Sequence, residues 1–304
     1  MPRAATIVLL ILLGAACSRT EVAYRKADWL LEYYAWKTVH TSASQLDEWQ
    51  PVLQATLRHH RDQELPLVVD YLDQARRFIR EPDTSPGASC LIDGALLLYQ
   101  RHARLAVDLA VPLLAGLEAG QIRHLAAYSS QRQQDAIEEY RSPDPQKRKQ
   151  AREERITGRI ENWTGGLDHY QRQLVSQALA RIPDMSEAWL AYRATRTDKL
   201  IDMLGAGAGK EALRTYLEGW WVYRDGTSFE TREHWQVARH ESVQLMEKLA
   251  RNLNDTQRTY LENRLAEVRE DLAVFVPPAA EAVSLQLLPD QSCLTDQAAN
   301  TLPD

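Results

Sequence analysis

His59, His60 and Glu64 are the residues whose types and spacing most invite chemistry, because His60 and Glu64 stand four apart and share one face of a helix, where a metal or a proton could be held. A helical zinc site needs a second histidine at that spacing, as in H-E-x-x-H, and none is present, so the pair reads as a polar contact between neighbouring turns. Gly205-Ala-Gly207-Ala-Gly209-Lys210-Glu211 has the look of a phosphate-cradling loop. It lacks glycine at Leu204 and Ser or Thr at Glu211, which the phosphate loop requires, so it reads as a helix linker. His234 and His240 are six apart and point to different helix faces. No G-x-S-x-G elbow occurs, and neither Cys90 nor Cys293 has a histidine close in sequence. These absences argue against an enzyme, and no metal or cofactor is expected.

The strongest chemical signal lies at the start. Arg3 is followed by an apolar run from Ala4 to Leu13 and then Gly14-Ala15-Ala16-Cys17, the layout of a signal peptide. The run is shorter than the roughly 20 residues that cross a bilayer. Leu13-Gly-Ala-Ala-Cys17 resembles a bacterial lipobox, departing from it at Gly14, where a larger aliphatic residue is commoner. That resemblance implies acylation of Cys17, removal of residues 1–16 and a permanent tether to the membrane, since a single acyl chain anchors only marginally and several hold firmly. Ser18 in place of an aspartate implies the outer membrane, on its periplasmic side. A secreted protein cut after Ala16 and a retained signal anchor are the alternatives. An oxidising periplasm would allow Cys90 and Cys293 to form a disulfide, with two unpaired thiols as the alternative.

A second candidate surface is basic. Arg148, Arg152, Arg155 and Arg159 recur at four, three and four, so they share one helical face that could meet an anionic lipid or an acidic envelope protein. The bland alternative is a solvated helix face. A nucleic-acid partner is not expected, because the formal charge of −6 and pI near 5.8 exert no pull toward phosphate and aromatic residues do not interleave with the stripe. Trp29, Trp36, Trp189 and Trp235 lie in apolar helical patterns and read as core.

The elements that must position these groups are helices. With 304 residues, 44% hydrophobic, 26% charged and only 13 glycines, the chain is long enough for a sizeable core and poor in turns. Apolar residues recur at three and four, predicting an all-α multi-helix bundle or extended helical array of about nine to eleven helices. Leu65, Val68, Val69, Leu72 and Ile79 predict one helix ending near Arg80, with Pro66 in a first turn or at a kink. Asp184-x-x-Glu187 predicts a capping box ahead of a helix that runs to Leu204. Two stripes, from Trp235 to Leu249 and from Leu261 to Phe275, predict an antiparallel helical pair. Breaks are expected at 81–88, 142–145, 164–166, 205–209 and after Pro277-Pro278. The chain divides into a signal peptide (1–16), a lipidated tether (17–23), an all-helical domain (24–276) and a poorly ordered tail (277–304).

One small pattern occurs four times: Leu46-Asp47-x-x-Gln50, Leu117-Glu118-x-x-Gln121, Leu167-Asp168-x-x-Gln171 and Leu253-Asn254-x-x-Gln257. Each predicts a helix start, the acid or Asn accepting a first-turn N–H, the Gln reaching back and the Leu packing as a staple. The unequal spacing excludes a fixed-period solenoid. With the lipobox, Tyr24-x3-Asp28-Trp29-Leu30, His60-x3-Glu64-Leu65-Pro66, Gly166-Leu167, Gln257-Arg258 and Trp189-x3-Arg193, these boxes make Cys17 to Val274 resemble a domain-of-unknown-function family of all-helical proteobacterial envelope lipoproteins. The resemblance implies an all-α lipoprotein without assigned activity; with no catalytic motif among the residues, a non-enzymatic binding or scaffolding protein is expected, with an enzyme of unrecognised helical active site as a further alternative. The boxes also resemble the Leu-Thr-x-x-Gln boxes of Spy-type periplasmic chaperones, which implies a holdase as the alternative, although no copy here carries the threonine.

Overall fold

The computed structural model describes residues 19–83, 87–140 and 144–278. Among these the chain is helical and contains no strand: α1 (Arg19–Arg25), α2 (Ala27–Val39), α3 (Ala43–His59), a π-helical turn π1 (His60–Glu64), α4 (Leu65–Arg80), α5 (Ala88–Leu114), α6 (Ala119–Tyr140), α7 (Pro145–Thr164), α8 (His169–Arg181), α9 (Ser186–Gly205), α10 (Lys210–Leu217), π2 (Glu218–Tyr223), α11 (Phe229–Asn252) and α12 (Asp255–Ala273). Because π1 joins α3 to α4 and π2 extends α10, these elements form eleven continuous rods. The breaks expected at 164–166 and 205–209 and the helix end at Arg80 are where the sequence places them, whereas 84–86 and 141–143, at two other expected breaks, and the tail after Pro278 lie outside the described residues. The first described residues, Arg19–Arg25, are already helical, within and just beyond the segment read as a tether.

The Leu-x-x-x-Gln boxes organise the fold beyond capping single helices. Asp168 with Gln171 and Asn254 with Gln257 form full capping boxes, and the Glu118 N–H donates to Gln121 Oε1. The first copy is different: Asp47 and Gln50 lie inside α3, and the helix is opened five residues earlier by a box of Ser42 and Gln45. A serine after the left-handed His40 ends the preceding turn in an extended conformation, which a cap requires and Asp47 never reaches.

These glutamines then meet in pairs. Gln45 and Gln121 exchange amide hydrogen bonds of 2.9 and 2.7 Å, and each also donates to a carbonyl of the opposite loop, Gly116 or His40. Gln171 and Gln257 repeat the arrangement at 2.8 Å both ways, donating to Asn252 and Gly166. Both amides of each pair are thereby satisfied, which lets Gln171 be wholly buried. Gly165 and Gly166, at φ 77° and 117°, give the second crossing the left-handed turn that places the Gly166 carbonyl under Gln257.

Around each crossing the helices follow one plan. The hairpins α2–α3 and α5–α6 interlock so that α2 packs on α6 and α3 on α5, while α7–α8 and α11–α12 interlock so that α7 packs on α12 and α8 on α11. The expected antiparallel pair α11–α12 is therefore corrected in its packing, because each arm lies mainly against another hairpin: α11 on α8 and α5, α12 on α4 and α7. The two units join through α4 on α12 and α5 on α11, while α9 packs on α6. Three apolar clusters fill the interior. One gathers Val107, Val111, Leu125, Leu204, Leu213 and Leu217; another Phe78, Ala88, Leu91, Ala250 and Leu265; the third Leu167, Leu174, Val175, Leu179 and Leu249.

Asp184 does not form the predicted box. Its carboxylate accepts from the N–H and hydroxyl of Ser186, α9 starts at Ser186, and Glu187 is exposed. The reason is tertiary: Arg152 of α7 donates to the Ile182 and Pro183 carbonyls and holds this loop in another course.

Candidate functional site

The sequence candidates His59, His60 and Glu64 surround π1, where one extra residue is inserted into the helix and turns its side chains toward α5, a distortion found mostly at functional sites. Glu64 is 3% exposed and forms a two-pronged ion pair with Arg101 of α5, at 2.6 and 2.8 Å, while His59 Nε2 lies 3.5 Å away. Burial raises its pKa, but the hydrogen bonds and charge of Arg101 outweigh that and hold the carboxyl below the usual range.

His60 turns away from Glu64 into a chain of hydrogen bonds. Its Nδ1 meets the Tyr24 hydroxyl at 2.9 Å, its Nε2 meets His102 Nε2 at 3.1 Å, and His102 Nδ1 meets the Leu98 carbonyl at 2.6 Å. A carbonyl can only accept, so His102 Nδ1 donates; with neutral rings, His60 Nε2 donates to His102 and Tyr24 donates to His60. Burial pushes His60 down to about 4, with the neighbouring His102 adding to the effect, and burial raises Tyr24 to about 12. All of these polar atoms are satisfied, so the chain ties α1, π1 and α5 together. Among the described residues no cluster of three or more His, Cys, Asp or Glu side chains could hold a metal.

The basic face is partly spent on the fold. Arg152 ties α7 to the loop before α9, Arg155 is half-buried, and Arg148 and Arg159 are exposed. Cys90 lies half-buried in the first turn of α5 and is disulfide-bonded. Cys17 and Cys293 fall outside the described residues.

The tryptophans correct the reading of the sequence. Trp29 is 59% exposed and Trp36 50%, Trp189 is exposed and Trp235 half-buried. On α2, Trp29, Tyr33, Trp36 and then His40 follow at four, three and four residues, with ring centroids 5.9, 6.2 and 5.7 Å apart. The ladder crosses to α6, where His124 stacks on His40 at 3.5 Å and Tyr128 follows at 6.4 Å. Sequence pattern could not assign this face to solvent, because apolar residues surround α2 on nearly every side and only Val39 is buried. On the far side of α2, Ala23, Tyr24, Ala27, Leu30, Tyr34 and Leu272 line an apolar groove of about 650 Å³ between α1, α2 and α12. A second aromatic group holds Arg224 between Tyr99 and Trp235, 5.1 and 5.0 Å from the ring centres. Nothing in the sequence links Tyr24, Arg101 or His102 to π1, since they reach it from α1 and α5.

A family model described as a family of unknown function (DUF6279) matches residues 38–219. No curated protein and no solved structure matches the chain.

Proposed function

The chain belongs to the DUF6279 family of unknown function, and from that premise, which carries no activity with it, we propose a non-enzymatic binding or scaffolding lipoprotein of the bacterial envelope. Acylated Cys17 tethers it, with Ser18 directing it to the periplasmic face of the outer membrane. The observation that carries the reading is the aromatic ladder from Trp29 to Tyr128, because its α2 rings Trp29, Tyr33 and Trp36, which burial would stabilise, stand exposed while His124 and Tyr128 continue it half-buried on α6. Neither the π1 cluster nor the basic face offers a free nucleophile beside a base, which favours binding over catalysis. Labelling cells with a palmitate analogue tests the tether: label present in wild type and lost in Cys17→Ala supports it, and label absent from both overturns it. Crosslinking in the membrane fraction tests the surface. Capture that falls in Tyr33→Ser/Trp36→Ser supports the ladder, and unchanged capture overturns it.

The groove between α1, α2 and α12 favours one second reading, a holdase, since an apolar channel can receive an unfolded segment. Light scattering of an aggregating client would then be suppressed by wild type and not by Ala27→Arg, and equal scattering with and without the protein would overturn this reading.

A further inference from the structure

We propose that α2 lies along the interface of an anionic phospholipid bilayer, with Trp29, Tyr33 and Trp36 among the headgroups and Lys26 and Lys37 on lipid phosphates. The inference rests on the tethered-lipoprotein reading and names what the α2 part of the ladder touches.

Charge distribution supports it first. At 100° per residue, Trp29, Tyr33 and Trp36 fall within about 60° of arc, and Lys37 lies within about 100° of all three. Asp28 and Glu32 lie roughly 140° to 180° from Lys37, with Glu32 about 40° from Trp36 at the other edge of the ring arc. The structure agrees with that sorting. Lys26, Lys37 and the three rings are exposed, whereas Asp28 and Glu32 are half-buried, Glu32 accepting from Gln50 of α3 and the Asp28 carboxylate from the Trp29 N–H. The exposed arc is therefore aromatic with a cation near each end, and the acids beside it are half-buried, Glu32 held by Gln50. Tryptophan and tyrosine favour the headgroup layer, and a lysine near anionic lipid contributes about 1 kcal/mol.

Chain length supports it second. From Cys17 to Arg19 the backbone can span at most about 7 Å, and ten further residues of helix add about 15 Å, so Trp29 stays within roughly 22 Å of the acylated cysteine. No helix among the described residues is long and apolar enough to cross a membrane, so a 13-residue α2 would lie along the surface.

The test uses the full mature chain in vesicles of equal parts phosphatidylethanolamine and phosphatidylglycerol, with lipids brominated near the headgroup as tryptophan quenchers. Wild type should be quenched. W29F/W36F, which keeps six of the eight tryptophans, should lose most of that quenching while its thermal melt is unchanged. K26E/K37E, which leaves every ring in place, should also lose quenching, and replacing phosphatidylglycerol by phosphatidylcholine should reduce it in wild type. Equal quenching of wild type and W29F/W36F overturns the proposal, as does quenching indifferent to both K26E/K37E and lipid charge. Intact mass of the same samples reports acylation. An unmodified Cys17 with Trp29 and Trp36 still quenched overturns the tether and supports the seat; an acylated chain quenched equally in wild type and W29F/W36F supports the tether and overturns the seat.

Discussion

Removing the Arg101 guanidinium would take from the buried Glu64 carboxylate both of the hydrogen bonds and the charge that offset its burial, leaving His59 and His102 as its neighbours. Arg101→Met should therefore destabilise the protein by about 3 kcal/mol in urea unfolding, and Glu64→Gln by less, because the second change removes the buried charge itself. His60 makes a separate prediction. Its pKa is about 4 in the folded chain against an ordinary 6.5. Above pH 6.5 it is neutral in both states and adds no pH dependence. Between 6.5 and 4 only the unfolded chain takes the proton, so stability falls as pH drops, by up to about 3 kcal/mol, and below 4 this slope vanishes. In His60→Gln, which can still accept from Tyr24 and donate to His102, the loss between pH 7 and pH 4 should shrink by that amount, measured by urea melts across the range. The sequence places His60 and Glu64 one turn apart but gives no sign that they part company, one toward His102 and the other toward Arg101. That divergence comes from π1, which lies directly before Pro66 at the start of α4, where the proline has no N–H to offer the Asp62 carbonyl and a regular helical turn cannot continue.

At the scale of elements, the paired glutamines hold the hairpin ends together. Gln171→Ala deletes a fully buried amide and orphans Gln257, the Asn252 carbonyl and the Asp168 N–H, so it should cost about 3 kcal/mol, whereas Gln45→Ala, at a more exposed crossing, should cost less. Combined with Gln257→Ala it should cost clearly less than the two single losses added, and a double-mutant cycle in urea would measure that coupling. The boxes at Glu118, Asp168 and Asn254 were legible because capping chemistry is local. Their pairing across 76 and 86 residues was not, since one Gln-x-x-x pattern carries no address for its partner. The same limit applies to α2: periodicity identifies a core face only where apolar residues occupy one side, and here they occupy nearly all.

Across the whole molecule the two interlocked units share one interior. Phe78 is completely buried in the cluster that joins α4 and α5 of the first unit to α11 and α12 of the second. Phe78→Ala should cost about 3 to 5 kcal/mol, and because the cluster spans both units, tryptophan fluorescence and far-ultraviolet circular dichroism should report one coincident unfolding transition in wild type. Two separate transitions would show that the units unfold independently. Helical class, helix ends, most breaks and three of the four box starts were determined by the sequence alone, because propensity, capping and three-four spacing act within a few residues. Tertiary structure alone decided which glutamines pair, that Arg152 is spent on the α9 loop, that Tyr24 and His102 complete the chain through His60, and that Trp29 and Trp36 face outward. Each of those depends on which distant helix supplies the neighbour, and burial, unlike helix formation, is a property of the neighbour as much as of the residue.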